Sequence, residues 1–375
     1  MKSKNYLEAR NELVSSFNSL NIEENETLNS QFNLVSASLS NFMPGIPFSS
    51  HAGIYQNVLL HKKLSILEQE SFEILDFVET ENFDNSMLHT LKKGSSIVCT
   101  FHTGSYRVIN LLLAKHNIPF TLVIGKDISD QEGSTFSRLY DQLNAANENG
   151  FRIINAESPV AGIQMLRELK QKRTLVLYID GNSGAGSKTN QNENSCTVEF
   201  LQSQIFARKG IAFLAHIARV SLITVVSYRP VLEKIRLRFF EPILPDQTMD
   251  RDQFAKRKTQ KIFDYVAPVI SSYPEQWEGW LYLHKVANVK APAATIEYGN
   301  NINIANEKFV FNCNQFGIFK VQNIFFLLRK ADYSLYEIST GLFDRLKESK
   351  HRPAGREYFE HSFHELYGQG VLVSA

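Results

Sequence analysis

Hydrophobic spacing changes character twice along the chain. Tyr6, Leu13, Phe17 and Leu20 recur at the spacing of one helical face, and Ile54, Val58, Leu64 and Leu67 continue a mostly helical pattern. This predicts a helical N-terminal flank over residues 1–90. From there, short β-branched or aromatic runs alternate with longer amphipathic stretches. The runs are SSIVCTF, PFTLVIG, FRIIN, RTLVLYID, SLITVVSYR and KIRLRFF; the stretches cover 104–117, 158–171 and 206–219. Strands alternating with helices predict an α/β domain over 91–290, a mixed sheet flanked by helices with its working groups on loops at strand ends. After His284 the segment VANVKAPAATIEYGNN reads as a boundary. In 300–375, two extended runs, KFVFNC and GIFKVQNIFFLLRK, precede the turn-like ADYS. Ser339 is placed to cap a helix burying Leu342, Phe343 and Leu346, and Phe359, Phe363 and Leu366 mark a second stripe before Gly370 and VLVS. This is the pattern of a small winged-helix domain.

Composition narrows the function classes. The chain has 375 residues, enough for a substantial core, and its 40 basic and 39 acidic residues nearly cancel. That balance argues against the broad positive field of a nucleic-acid binder. Cys99, Cys196 and Cys313 lie far apart with no CxxC spacing, so reduced thiols are expected rather than a disulfide framework or a cysteine metal site. No stretch has the roughly 20 apolar residues of a membrane span, and the N-terminus lacks the apolar core of a signal peptide. The expectation is a soluble, cytoplasmic protein whose contact with the inner membrane, if any, is peripheral.

His102 is the leading candidate for chemistry. It follows the apolar run IVCTF and precedes Thr103-Gly104-Ser105, where a strand end and a helix start would hold an imidazole open to a proton. Backbone N–H groups near Gly104, or in the 181–186 loop, would then be placed for a developing oxyanion. A structural histidine at a surface turn is the competing reading. Cys99 falls on a strand face with Phe101, the position of a small core thiol rather than a nucleophile. His216 and His284 sit among apolar residues and read as structural. GNSGAGSKT approaches a phosphate-binding loop, but Ser187 separates Gly186 from Lys188 and no apolar periodicity follows, which excludes an NTPase and leaves a substrate lid or a surface connection. Arg251, Lys256, Arg257, Lys258 and Lys261 form a charged helix face, either simply solvated or turned to an acidic carrier protein or anionic lipid.

Three further stretches carry a family likeness: YIDGNSGAG with Asp180, the segment from VEF through Arg208-Lys209-Gly210, and YPEQWEGWLYLHK. With His102 they resemble the lysophospholipid acyltransferase superfamily, most closely its lipid A late acyltransferase branch, over roughly residues 45–290. That family opens its site with a histidine, a glycine two residues later and a carboxylate five residues later. It closes near Pro-Glu-Gln, an aromatic pair and His-Arg/Lys. His102, Gly104, Pro274, Glu275, Gln276, Trp277, Trp280, His284 and Lys285 correspond. The carboxylate does not, because Arg107 stands in its place and cannot accept an imidazole N–H. Asp180 and Glu199 are the candidates to replace it. The C-terminal run from NIFFLL to VLVS looks like the small PqqD-like winged-helix domains that recognise leader peptides, through Tyr336, Ile338, Leu342, Phe343, Leu346, Gly370, Val371 and Leu372.

The resemblance implies an enzyme that moves an acyl group from an acyl-carrier-protein or acyl-CoA thioester to a hydroxyl or amine, with no permanently bound cofactor and no metal. A ribosomally made precursor peptide is the expected acceptor, a lysophospholipid or lipid A-type acceptor the alternative, and a noncatalytic peptide-binding scaffold the competing class. His102 is expected as base with Asp180 or Glu199 as its partner, and Gly104, Ser105, Tyr106, Arg107, Gly184 and Arg208 as substrate contacts.

Overall fold

In a computed structural model the described residues are 3–126, 152–181, 193–289 and 307–375. They fall into two compact units, one of residues 1–19 and 56–279, the other of 20–55 and 280–375. The 1–90 segment expected as one flank is thus divided between them.

The larger unit is α/β, built on a seven-stranded mixed sheet. Its strands are β1 (Val78–Glu81), β2 (Ser96–Thr100), β3 (Phe120–Ile124), β4 (Arg152–Asn155), β5 (Thr174–Tyr178), β8 (Ser221–Val231) and β9 (Lys234–Phe239), with β6 (Ser195–Phe200) and β7 (Ser203–Arg208) forming a separate hairpin. The order across the sheet is β1-β9-β8-β2-β5-β3-β4, all neighbours parallel except the β8/β9 pair. All six runs expected as strands are present. β2 and β3 are buried along their whole length, as central parallel strands covered on both faces must be. Val98, Leu122, Val176, Ile223 and Leu237 run through one core with Ile109 and Leu113 of the helix Val108–Lys115.

Two elements differ from the expectation. β1 lies inside the segment read as helical; its sequence, VETE, has no apolar alternation, and it joins the sheet by parallel pairing with β9, with Val78 against the core. Glu79 bonds Lys234 and Arg236, and Glu81 bonds Arg236 and Arg238, so the edge strand carries a ladder of opposite charges across to β9. Residues 206–208, read as the start of a helix, belong to β7, and the helix begins at Gly210. Pairing of Val198 with Ile205 and of Cys196 with Ala207 buries one face of the hairpin, and this tertiary burial overrides the helical spacing.

The smaller unit contains two small antiparallel sheets, β10 (Phe309–Phe311) with β14 (Leu372–Ser374), and β11 (Phe316–Val321), β12 (Ile324–Arg329) and β13 (Ser334–Ile338). The single run GIFKVQNIFFLLRK is therefore two strands. Gln322 and Asn323, with φ of 49° and 68°, make a two-residue turn between Val321 and Ile324, as a tight hairpin requires. Ser339 accepts from the Leu342 N–H at the start of the helix Thr340–Ser349, which buries Phe343 and Leu346 against Phe359, Phe363 and Leu366. The helix Glu26–Phe42 lies along β11, where Asn33 fills the space beside Gly317 and its amide donates to the Ile318 carbonyl. Among the described residues no helix is long and apolar enough to cross a membrane.

Candidate active site

Sheet register brings the central pair together. β2 and β5 are parallel neighbours with Thr100 opposite Tyr178. His102 and Asp180 each lie two residues past that pair, so two adjacent strands deliver an imidazole and a carboxylate to the same end of the sheet. The His102 ring sits 2.8 Å, Nδ1 to Oδ1, from Asp180. The backbone N–H of His102 donates to both oxygens of the same carboxylate, at 3.2 and 3.0 Å, and the Trp277 indole N–H donates to Oδ2 at 2.7 Å. Asp180 is 3 % exposed and the His102 side chain 19 %, so the carboxylate is sealed while the ring reaches solvent.

A carboxylate held by a backbone N–H and an indole N–H presents an acceptor to the ring and fixes the tautomer of its histidine. With Nδ1–H donated to Asp180, Nε2 carries the lone pair that can take a proton. Burial is the largest influence on the ring and opposes its charged form. The charge and hydrogen bond of Asp180, helped by Glu278 and opposed by Arg107, outweigh it, so His102 takes up a proton above the usual histidine range. Of the two carboxylates expected as candidates, Asp180 is the one on the ring. Glu199 belongs to the β6/β7 hairpin, where its carboxylate accepts from Gln204 and its backbone pairs with Gln260.

The loop after His102 is clamped from two sides. Gly104 (φ 55°) presses against β8, where a Cβ would meet the Tyr228 Cα at 3.0 Å and the Ser227 carbonyl oxygen at 3.1 Å; only glycine fits this approach. The Thr103 hydroxyl donates to the Ser227 carbonyl and the Ser105 N–H to the Ser227 hydroxyl. On the other side the closing segment supplies the Gln276 carbonyl, which accepts from the Gly104 N–H, and the Glu278 N–H, which donates to the His102 carbonyl. The Gln276 amide in turn bonds both backbone groups of Arg229. Pro-Glu-Gln-Trp is thus a structural latch under the histidine, a role that spacing does not reveal.

These clamps correct one expectation. The N–H groups of His102, Thr103, Gly104 and Ser105 donate to Asp180, Phe101, Gln276 and Ser227, so they are committed to the scaffold rather than aimed at an oxyanion; the alternative donors, in the 181–186 loop, lie beyond Gly181 outside the described residues. Three of the residues expected as substrate contacts, Ser105, Tyr106 and Arg107, are turned inward as well. Ser105 is buried and its hydroxyl accepts from Arg229, which is also paired with Glu68. Tyr106 is buried with its ring 4.8 Å from that of His102; Tyr178 lies 5.0 Å from the same imidazole and 5.2 Å from Tyr106, so the three rings pack as a triangle. Arg107 is buried, donates to Gln69 and to the Tyr106 hydroxyl, and lies over the Tyr106 ring. Arg208 is exposed at the end of β7, and Gly184 lies outside the described residues, as does the rest of the glycine-rich loop beyond Gly181. Gln69, Tyr178, Glu278 and the indole N–H of Trp277 were not singled out as site groups. Tyr178, Trp277 and Glu278 lie inside the stretches YIDGNSGAG and YPEQWEGWLYLHK, whereas Gln69 lies in neither.

Cys99 is fully buried and its thiol is pushed up to about 12 by burial, in keeping with a core residue. His216 donates its Nε2–H to the Asp246 carbonyl and packs on Phe254. His284 is lowered to about 4 by burial and by Lys285. The basic helix residues are engaged locally: Arg251 on Phe213, Lys256 with Asp252, Lys258 on Phe254 and Lys261 on Tyr265.

Comparison with models of protein families gives no match to the chain, and comparison with curated proteins gives none either.

Proposed function

We propose that the protein is an acyltransferase of the glycerolipid acyltransferase-like type, in which His102 acts as general base. The observation that carries this reading is the His102–Asp180–Trp277 relay at the strand ends: a partly exposed imidazole whose Nδ1 is held by a sealed carboxylate. An acyl thioester, on a carrier protein or coenzyme A, is the donor. Nε2 of His102 removes the proton from an acceptor hydroxyl or amine as its oxygen or nitrogen attacks the thioester carbonyl. The C–S bond then breaks, and the imidazolium returns the proton to the departing thiolate. Asp180 holds the ring and offsets its transient positive charge.

A peptide is the proposed acceptor. Its support is β13, which pairs only with β12 among the described residues and leaves Leu335 and Tyr336 exposed, an arrangement suited to adding one more strand. The test is intact-mass analysis of candidate acyl carriers and peptides incubated with wild type, H102A and D180N. The reading expects an acyl increment on the acceptor with wild type, its loss in H102A and a drop of at least about 100-fold in D180N, the span typical of general-base catalysis. Equal transfer by wild type and H102A would overturn it.

A further inference from the structure

Arg107 occupies the position where a carboxylate beside the histidine was expected, yet the ring still favours its charged form. Asp180 supplies the direct contact. A second acidic group stands one side chain further out. Glu278 is mostly buried, and its two oxygens are divided: Oε1 pairs with Lys62 at 2.8 Å, while Oε2 accepts from the Tyr106 hydroxyl at 3.3 Å. Tyr106 packs its ring edge-on to His102, and its hydroxyl also accepts from Arg107 Nε at 3.2 Å. The phenol therefore lies between a cation and an anion that act on the same imidazole in opposite senses. The Glu278 backbone is tied to His102 as well, through its N–H to the His102 carbonyl at 2.8 Å. One short segment thus brings both Trp277, which holds Asp180, and Glu278.

We propose that Glu278 is a positioning residue for His102, supplying through Tyr106 the second negative charge that Arg107 displaces and so favouring the imidazolium formed when the acceptor loses its proton. This rests on the reading of His102 as the base. The groups facing the ring are Asp180 from the end of β5, Tyr178 from β5, Tyr106 and Arg107 from the clamped loop and Glu278 from the closing segment, with Lys62 behind Glu278 on the helix Phe48–Glu68. Glu278 raises the ring's proton affinity and Arg107 lowers it. Glu278 touches Tyr106 rather than the ring, so its influence is by charge through a low-dielectric interior.

The experiment is a titration of the His102 ring by nitrogen–proton correlation NMR in wild type, E278Q and R107Q. Glutamine keeps the shape of the side chain and its acceptor for Tyr106 while removing the charge. The midpoint is expected to fall in E278Q and to rise in R107Q. An E278Q midpoint equal to or above that of wild type overturns the proposal. K62Q, at low ionic strength, gives an independent reading on a partly exposed residue whose loss leaves the core intact: freed of its cation, Glu278 should raise the midpoint, and an unchanged value overturns the proposal. No acyl transfer is needed for these measurements. If E278Q shifts the midpoint while no acceptor gains mass, the function fails and the charge coupling stands.

Discussion

Replacing Gly279 by alanine places a methyl group into the Trp277 indole. A Cβ at 279 would lie well inside 3.0 Å of two ring carbons and 2.7 Å from Nε1. Restoring ordinary contact moves Nε1 by roughly 0.7 Å and the carbons further. Trp277 is 2 % exposed and packs its ring 5.2 Å from Phe200, so the ring has no room to swing away freely. A shift of that size takes the 2.7 Å bond to Asp180 to the edge of the hydrogen-bonding range. Overpacking of a filled core costs about 1–3 kcal/mol, and loss of a hydrogen bond to a buried carboxylate about 1.5–3 kcal/mol, so G279A should lose roughly 2.5–6 kcal/mol of stability. Urea denaturation followed by tryptophan fluorescence measures the loss. In a W277F background the same methyl should cost far less, because the smaller ring removes both the clash and the donor. Additive costs in the double mutant, or a G279A protein as stable as wild type, would refute the coupling between residue 279, the indole and Asp180.

Two further outcomes follow from burial. Lys330 is 2 % exposed, with its ammonium bonded only to neutral groups, the Ser36 hydroxyl and the Cys313 carbonyl, over the Phe48 ring. Burial lowers it from 10.5 to about 7. The unfolded chain then binds a proton that the folded chain releases between those values, so stability rises with pH across that window and levels off below about 7. From pH 7 to pH 9 the gain is on the order of 2–3 kcal/mol, and K330M should lose that gain in urea denaturation at the two pH values. Cys99, sealed and hard to ionise, should resist iodoacetamide at pH 8 in the folded protein and react once urea unfolds it, as read by peptide mapping.

The strands of the large sheet were legible because their apolar runs are long and both faces are covered, as in IVC and TLVL. His102 and Asp180 were legible as strand-end groups, but their pairing was not. It depends on β2 and β5 being neighbours in a register that places both two residues past a paired end, and strand order is not written in local periodicity. Glu278 and Gln69 escaped notice for a related reason. They reach the site through Tyr106 and Arg107, across separations of 172 and 38 residues, and single residues of that kind leave no spacing to read. β1 was missed because VETE faces β9 with charged side chains and offers no apolar alternation to read, while its backbone pairing leaves no local trace. The inward turn of Ser105 and Arg107 was hidden because polar side chains beside a histidine read as substrate contacts until their buried partners are seen.

The most direct check of the base is the tautomer of its neutral ring. Nitrogen–proton correlation spectra of His102, recorded above its titration midpoint, should show the proton on Nδ1 and a bare Nε2 in wild type, with that preference lost in D180N. A neutral ring protonated on Nε2 in wild type would leave no lone pair facing the acceptor and would contradict the assignment of His102 as the group that starts the transfer.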